Sequence, residues 1–241
     1  MINKIDIHSH ILPGIDDGAE TMEESLQMLA CAAQDGISEM IMTPHFHYRR
    51  GHAAPQKVQM VLKELQDAAE NKNIKIRLYT GNELYYTHEL LEIVKAGEAL
   101  TMAGTEYVLL EFSTETEKRR IQNAVYEFLS EGYLPIIAHI ERYQAFTGNR
   151  EFAEELSKMG AYYQVNADSL SGKFGWKMKH FARHMVQSGF VQFVATDAHD
   201  LKHRPPIYGK TAEWMTKKLG AFETQQLLIE NPKKLLQNQI I

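Results

Sequence analysis

Apolar residues recur along the chain at two different spacings. Short runs of β-branched or apolar residues occur at positions 5–7, 39–42, 76–79, 107–110, 134–138, 161–165 and 191–195. Between them, over 22–34, 56–70, 117–130, 151–158 and 175–187, the apolar positions fall three and four apart. In the first of these stretches Met22, Leu26, Leu29, Ala30 and Ala33 form one stripe. The short runs predict strands and the 3.6-residue stripes predict amphipathic helices. Gly36, Gly132, Gly160 and Gly189 stand where helices should stop and strands begin. Near the end, Asn231-Pro232 predicts a cap and a first-turn proline opening a last helix.

Seven strands alternating with helices predict an α/β fold whose parallel sheet is closed or nearly closed, with the helices outside. No linker, low-complexity tract or internal repeat interrupts the pattern, so residues 1–241 read as a single domain. A chain of 241 residues is ordinary for one α/β barrel and long enough to bury a substantial core.

Composition narrows the function classes. Hydrophobic content of 44% and charged content of 24% are those of a soluble globular protein. A net charge of -5 supplies no basic footprint for a nucleic-acid duplex. Cys31 is the single cysteine, which excludes an internal disulfide and a thiolate metal cluster. Residues 1–6 are short and polar and run into a strand, unlike a signal peptide, and no apolar run approaches the ~20 residues of a spanning helix. The expected location is the cytosol, with no membrane insertion.

The candidate chemistry lies at the carboxyl ends of the predicted strands. The first ends in His8-Ser9-His10, with Asp17 after a turn; the second in Thr43-Pro44-His45; the third is followed by Gly81-Asn82-Glu83; the fourth ends in Glu111. The fifth ends in His139 with Arg142 just beyond, and the seventh in Thr196-Asp197-Ala198-His199, with Arg204 following. Gln164 and Asn166, at the end of the sixth, are polar but poor ligands. Loops converge at the C-terminal face of a β/α barrel, and six of the seven predicted strands deliver a histidine or carboxylate there. Side chains at i and i+2 of a strand share a side, so His8 with His10, and Asp197 with His199, are expected to grip an ion together. A lone histidine after a strand is commonly structural, and Asp16-Asp17-Gly18 alone is an ordinary turn; coincidence across six strands is what points to a metal centre. A nitrogen and oxygen donor set suits Mn, Fe, Zn, Mg or Co. His8, His10, Asp17, His45, Glu83, Glu111, His139, Asp197 and His199 are more ligands than one ion needs, which predicts two or three ions with a carboxylate such as Glu83 bridging a pair. His47, His52, His88, His180, His184 and His203 have no such placement.

These motifs, taken with Asp6-Ile7-His8-Ser9-His10, Asp16-Asp17-Gly18 and His139-Ile140-Glu141-Arg142-Tyr143, resemble the polymerase-and-histidinol-phosphatase (PHP) superfamily. The opening His-Ser-His-Ile-Leu-Pro-Gly-Ile-Asp-Asp-Gly-Ala is similar to its bacterial protein-tyrosine phosphatase branch, associated with capsule and exopolysaccharide synthesis. The likeness runs from Asp6 to about Arg204. It implies a distorted seven-stranded (β/α) barrel with a trinuclear site. One ion would lie on His8, His10, Glu83 and Asp197, a second on Glu83, Glu111 and His139, and a third on Asp17, His45 and His199. Carboxylates at Asp17 and Glu111, where other branches commonly carry histidine, fit the tyrosine-phosphatase branch. The resemblance further implies manganese and, as partner, the phosphotyrosine tail of a bacterial tyrosine kinase.

Ions held there would supply water acidic enough to ionise near neutral pH, the chemistry that hydrolysis of a phosphate ester needs. Arg142 and Arg204 are the candidates for clamping the phosphoryl oxygens, because guanidinium offers a planar fork of donors. The segment 47–52, rich in histidine and arginine, is placed to rim the mouth with positive charge or to stand as a solvated loop. Three rivals remain: a phosphatase of a small monoester such as histidinol phosphate, an amidohydrolase, and a metal-binding domain without catalysis. Amidohydrolases usually carry a carbamylated lysine where this chain has Glu111, and a decayed domain would not keep every ligand position filled.

Overall fold

The computed structural model describes residues 3–241; Met1 and Ile2, part of the polar start read above, lie outside the described residues. Nine parallel strands form two sheets: β1 (Lys4–Ser9), β2 (Ile37–Met42), β3 (His45–Phe46), β4 (Arg77–Thr80), β5 (Glu83–Tyr85), β6 (Tyr107–Glu111), β7 (Leu134–Ile137), β8 (Tyr162–Asn166) and β9 (Phe193–Ala195). The first sheet has the order β1-β2-β4 and the second β3-β5-β6-β7-β8-β9. The helices are α1 (Met22–Gln34), α2 (Pro55–Asn71), α3 (Leu90–Lys95), α4 (Lys118–Ser130), α5 (Arg150–Met159), α6 (Ala167–Ser171), α7 (Trp176–Gln187), α8 (Gly209–Leu219), α9 (Ala221–Gln225) and α10 (Asn231–Leu236).

Nine strands stand where seven were expected because the second and third predicted strands are each cut in two. Thr43-Pro44 separates β2 from β3, and Gly81-Asn82 separates β4 from β5. Proline has no N–H to give a ladder, so the pairing stops there. Asn82 ties the cut edges together, its Nδ2 donating to Pro44 O at 2.9 Å and its Oδ1 accepting from Leu100 N at 2.9 Å. At the other margin, Asp197 N donates to His8 O (2.9 Å) and His10 N to Ala198 O (2.8 Å), so the segment after β9 pairs beside β1.

Two cores follow from the period-2 alternation of the strands. One lies between sheet and helices and takes Met40, Met42, Val108, Leu110, Tyr163, Val165 and Val194 with the apolar stripes of the helices. The other joins Ile5, Ile7, Ile41, Tyr107, Leu109, Ile136, Ala138, Tyr162, Phe193 and Ala195, with Leu235 of α10 against it. Strands of both sheets share this second cluster, so the parallel strands curl about a common apolar interior. Burying such side chains contributes about 1.5–3 kcal/mol each.

Helix boundaries follow local chemistry. Thr21 caps α1 by accepting from Glu24 N at 3.2 Å, and Gly160 ends α5 with φ 115, a left-handed turn that suits glycine. The expected cap at Asn231 is corrected. Asn231 has helical φ and ψ and its Nδ2 donates to Gln192 O, while helix runs through from α9 by way of a π-helical turn at Gln226–Glu230. Pro232 cannot bond backwards and crowds the carbonyl four residues before it, and the widened turn absorbs that conflict. Helix α8 was not predicted; only Thr211 and Met215 of it are buried, too little to make a stripe.

Candidate metal centre

The inner apolar face leads directly into the cluster. Counting by two along the strands, Ile41 is followed by Thr43 and His45, Tyr79 by Gly81 and Glu83, and Leu109 by Glu111. In the same way Tyr162 is followed by Gln164 and Asn166, and Phe193 by Ala195 and Asp197. The polar groups therefore form the next layer above the apolar interior, at the carboxyl ends of the strands. Two strands are out of step and each has a local irregularity. In β1, Ile5 and Ile7 face the interior while His8 faces the cluster, and the β1–β2 register shifts between Asp6 and Ser9. After β7, where Ile136 and Ala138 face inward, His139 takes φ 32 and ψ 57 and swings onto the cluster. Asp197 likewise has φ 53. Non-glycine residues with positive φ are strained and concentrate at functional sites.

The nine candidate ligands meet. Their donor atoms fall into four overlapping groups, each with its atoms within 4.8 Å of one another: His10, Asp17, His45 and His199; His8, His10 and Asp197; His8, Glu83 and His139; His45, Glu83 and Glu111. Glu83 sits at the middle, Oε1 2.6 Å from His139 Nε2, Oε2 3.0 Å from His45 Nδ1 and 3.3 Å from both His8 Nε2 and His10 Nε2. The grouping departs from the resemblance's assignment in placing His8 with His139, and His45 with Glu83 and Glu111, and from the strand spacing at Asp197 and His199. His10 belongs to two groups, and Asp197 and His199 fall in different ones, because β9 has ended at Ala195 and the chain is no longer extended there.

The donor set fits divalent ions on an observation independent of motif. Among the buried side-chain atoms without a well-angled hydrogen bond are His45 Nδ1 and Glu83 Oε2, which face each other at 3.0 Å, and Asp197 Oδ1 and His199 Nε2. Leaving such atoms unpaired in a protein interior costs about 1–3 kcal/mol each, more for charged groups, and four in one cluster are what a cation would satisfy. His8 Nε2 and His10 Nε2 face each other at 3.2 Å, an approach a shared cation relieves. Their outer nitrogens are occupied: His10 Nδ1 by Asp16 Oδ2 at 2.6 Å, His8 Nδ1 by Gln164 Oε1 at 3.2 Å. Such outer partners orient metal-binding histidines.

Burial and neighbouring charge shift the groups of the cluster in different directions. Burial alone would raise the Glu83 carboxyl, but His8 and the other imidazoles around it hold it well below the usual carboxylate range. Asp197 is likewise held down, against burial, by His8, Arg142 and Arg204. Burial, then Arg142, pushes His139 down to about 4, leaving it a neutral imidazole at pH 7. Glu111 is pushed up to about 8 by burial and by the charge of Glu83. Carboxylate beside carboxylate in a buried site favours a bound cation.

Arg142 and Arg204 both reach Asp197 Oδ2, Arg142 Nη2 at 2.8 Å. About a quarter of each side chain is exposed, 25% and 24%, so both arginines lie at the border of the cluster. In the 47–52 segment, Arg49 pairs with Glu89 at 2.8 Å, His47 stacks on Tyr85, and His52 packs at a tilt against Phe46.

Sequence reasoning missed Asp16, which it took as part of a turn. Asp16 Oδ2 also accepts from His45 N at 3.0 Å, and so joins two ligand-bearing segments. Gly18 was another silent position: a Cβ there would lie 1.8 Å from His10 O, so the Asp16-Asp17-Gly18 turn lies flat on the His10 backbone. The acidic pair followed by glycine was the available signal.

The chain matches the family "Capsular polysaccharide synthesis, CpsB/CapC" over residues 4–237. It is 34% identical over 242 residues to the tyrosine-protein phosphatase CpsB of Streptococcus pneumoniae, covering 98% of this chain and 100% of that protein. Identity to the tyrosine-protein phosphatase YwqE of Bacillus subtilis is 32% over 237 residues, covering 98% and 93%. A solved structure from work on YwqE of Bacillus subtilis and CpsB of Streptococcus pneumoniae, described as unique metal-dependent tyrosine phosphatases, superposes with a TM-score of 0.93. The identity there is 32%, and the match covers 98% of this chain and 96% of that one.

Proposed function

The chain belongs to the CpsB/CapC family of capsular polysaccharide synthesis, and from that premise we propose that it is a metal-dependent protein-tyrosine phosphatase whose substrate is phosphotyrosine on a bacterial tyrosine kinase controlling capsule or exopolysaccharide synthesis. The observation that carries the reading is the convergence of nine nitrogen and oxygen donors, several of them buried and unpartnered, on one rim. We propose manganese as the metal, two or three ions, and the cytoplasm as the location; among the described residues no helix is long and apolar enough to cross a membrane.

His8, His10, Asp17, His45, Glu83, Glu111, His139, Asp197 and His199 would hold the ions, with Glu83 shared between groups. When bound, divalent ions supply a water acidic enough to ionise near neutral pH and positive charge against the phosphoryl oxygens. Arg142 and Arg204 are the proposed phosphate clamp. Asp197 holds each through Nη2, and each guanidinium keeps further N–H donors with which a planar fork can bind phosphate in two-point contact. A phenol leaves with a conjugate acid near pKa 10 and so needs less protonation than an alkoxide would.

Turnover of a phosphotyrosyl peptide, measured before and after chelation, tests the proposal. Activity is expected to vanish on chelation and return with manganese. Histidinol phosphate, the substrate of the rival reading, is assayed in parallel; turnover of that ester alone would overturn the choice of phosphotyrosine. A protein indifferent to chelation would refute the metal centre itself.

A further inference from the structure

Strand β8 contributes no candidate ligand, yet Gln164 and Asn166 at its end are 0% and 1% exposed beneath the cluster. Their hydrogen bonds have a direction that is fixed from both ends. His139 N, a main-chain donor, lies 2.8 Å from Gln164 Oε1, so an oxygen must face it. His8 Nδ1 lies 3.2 Å from the same oxygen and must therefore carry hydrogen. Gln164 Nε2 then donates to Asn166 Oδ1 at 2.7 Å, and Asn166 Nδ2 donates to Asp197 Oδ2 at 2.7 Å. A carboxylate only accepts, so the far end requires the same orientation of both amides. Asn166 is itself held by its main-chain N–H, which donates to Glu141 Oε1 at 3.0 Å.

We propose that Gln164 and Asn166 are positioning residues that select the Nδ1–H tautomer of His8 and couple it to the orientation of Asp197. The proposal rests on the reading of the cluster as a metal centre. In the selected tautomer His8 Nε2 presents its lone pair to the cluster, 3.3 Å from Glu83 Oε2 and 3.5 Å from Asp197 Oδ1. The opposite tautomer would set the Nδ1 lone pair against the Gln164 oxygen and aim an N–H into the ligand atoms. At the far end, Asn166 together with the two arginines occupies Asp197 Oδ2, which leaves Oδ1, an atom with no partner, turned inward. One amide pair thus prepares ligands from two different sheets, His8 from β1 and Asp197 from beyond β9, which meet side by side where Asp197 N donates to His8 O.

The test uses two substitutions of opposite logic, Gln164→Met and Gln164→Glu, in the full chain. Methionine fills the same volume without accepting; glutamate keeps the acceptor. Manganese affinity of the stripped protein is read by calorimetry, and the His8 tautomer by ¹⁵N NMR of the metal-free protein. Circular dichroism checks folding. Gln164→Met is expected to lower manganese affinity 10–100-fold, the usual cost of losing an outer partner of a ligand, and to erase the single Nδ1–H signature of His8. Gln164→Glu is expected to retain that signature. A purely packing role predicts the reverse, with methionine silent in both readouts, and that result would overturn the proposal. So would a wild-type His8 protonated on Nε2, or a folded Gln164→Glu protein without the Nδ1–H signature, which decides the matter if Gln164→Met does not fold. Wild-type protein that takes up no manganese, zinc or iron would remove the metal centre as well; uptake unchanged by Gln164→Met would remove the positioning role alone.

Discussion

At the scale of single residues, the site depends on side chains that touch no expected ion as much as on the ligands. Asp16 holds the Nδ1 edge of His10 at 2.6 Å and the His45 N–H at 3.0 Å, so it orients one imidazole and the backbone of a second ligand at once. Removing such an outer partner typically costs 10–100-fold in metal affinity. Asp16→Ala is therefore expected to weaken manganese binding by about that factor, as read by calorimetry on the stripped protein; unchanged affinity would contradict the assignment. Gly18 acts through space alone. A methyl group 1.8 Å from the His10 carbonyl forces the turn off the β1 end. Overpacking of this kind costs about 1–3 kcal/mol, and Gly18→Ala should lose that much in urea denaturation and lose metal binding with it.

Among the elements, the informative feature is where the period-2 pattern is kept and where it is broken. On β6 and β8 the residue two beyond the last inward apolar side chain continues onto the polar layer, and across the cuts after β2 and β4 the residue four beyond does so. On β1 and β7 it does not, and a register shift and a left-handed His139 redirect the chain. Bulges and similar irregularities next to active sites re-aim a side chain in this way. Helix ends, in contrast, contribute stability without shaping the site. Thr21 accepts from Glu24 N at 3.2 Å and Glu24 Oε2 accepts from Glu20 N at 3.0 Å, a reciprocal pair at the start of α1. Thr21→Ala should cost about 1 kcal/mol by urea denaturation, with turnover per folded molecule unchanged. A large fall in turnover would show that α1 positions the Asp17 loop.

For the molecule as a whole, the two sheets curl about one apolar interior and crowd imidazole and carboxylate donors onto its upper end. That arrangement links folding to metal. A ligand at 100 times its dissociation constant stabilises the native state by about 2.7 kcal/mol. For a chain of this length that corresponds to a rise of about 5–10 °C in melting temperature. Manganese is expected to produce such a rise in wild-type protein and almost none in His10→Ala, whose residue belongs to two of the four groups. An equal rise in both would place the stabilising ions elsewhere.

Much of this was legible before any coordinates, and the reason is local. Alternation in strands and 3.6-residue stripes in helices follow from backbone geometry, so α1 falls at Met22–Gln34, where the stripe predicts it, and β6 within one residue of its predicted run. Ligand-type residues stood out because histidines or carboxylates, ordinary at any single strand end, recur at six of the seven predicted ones. Tertiary structure alone decided that His10 lies in two groups, that His8 shares one with His139, and how Gln164 bonds both a residue of β1 and one after β7. Those outcomes depend on φ values of 32 and 53 at His139 and Asp197, on a shifted β1 register, and on contacts between positions more than 100 residues apart. No spacing along the chain encodes them, because they arise when distant segments compete for the same few cubic ångströms.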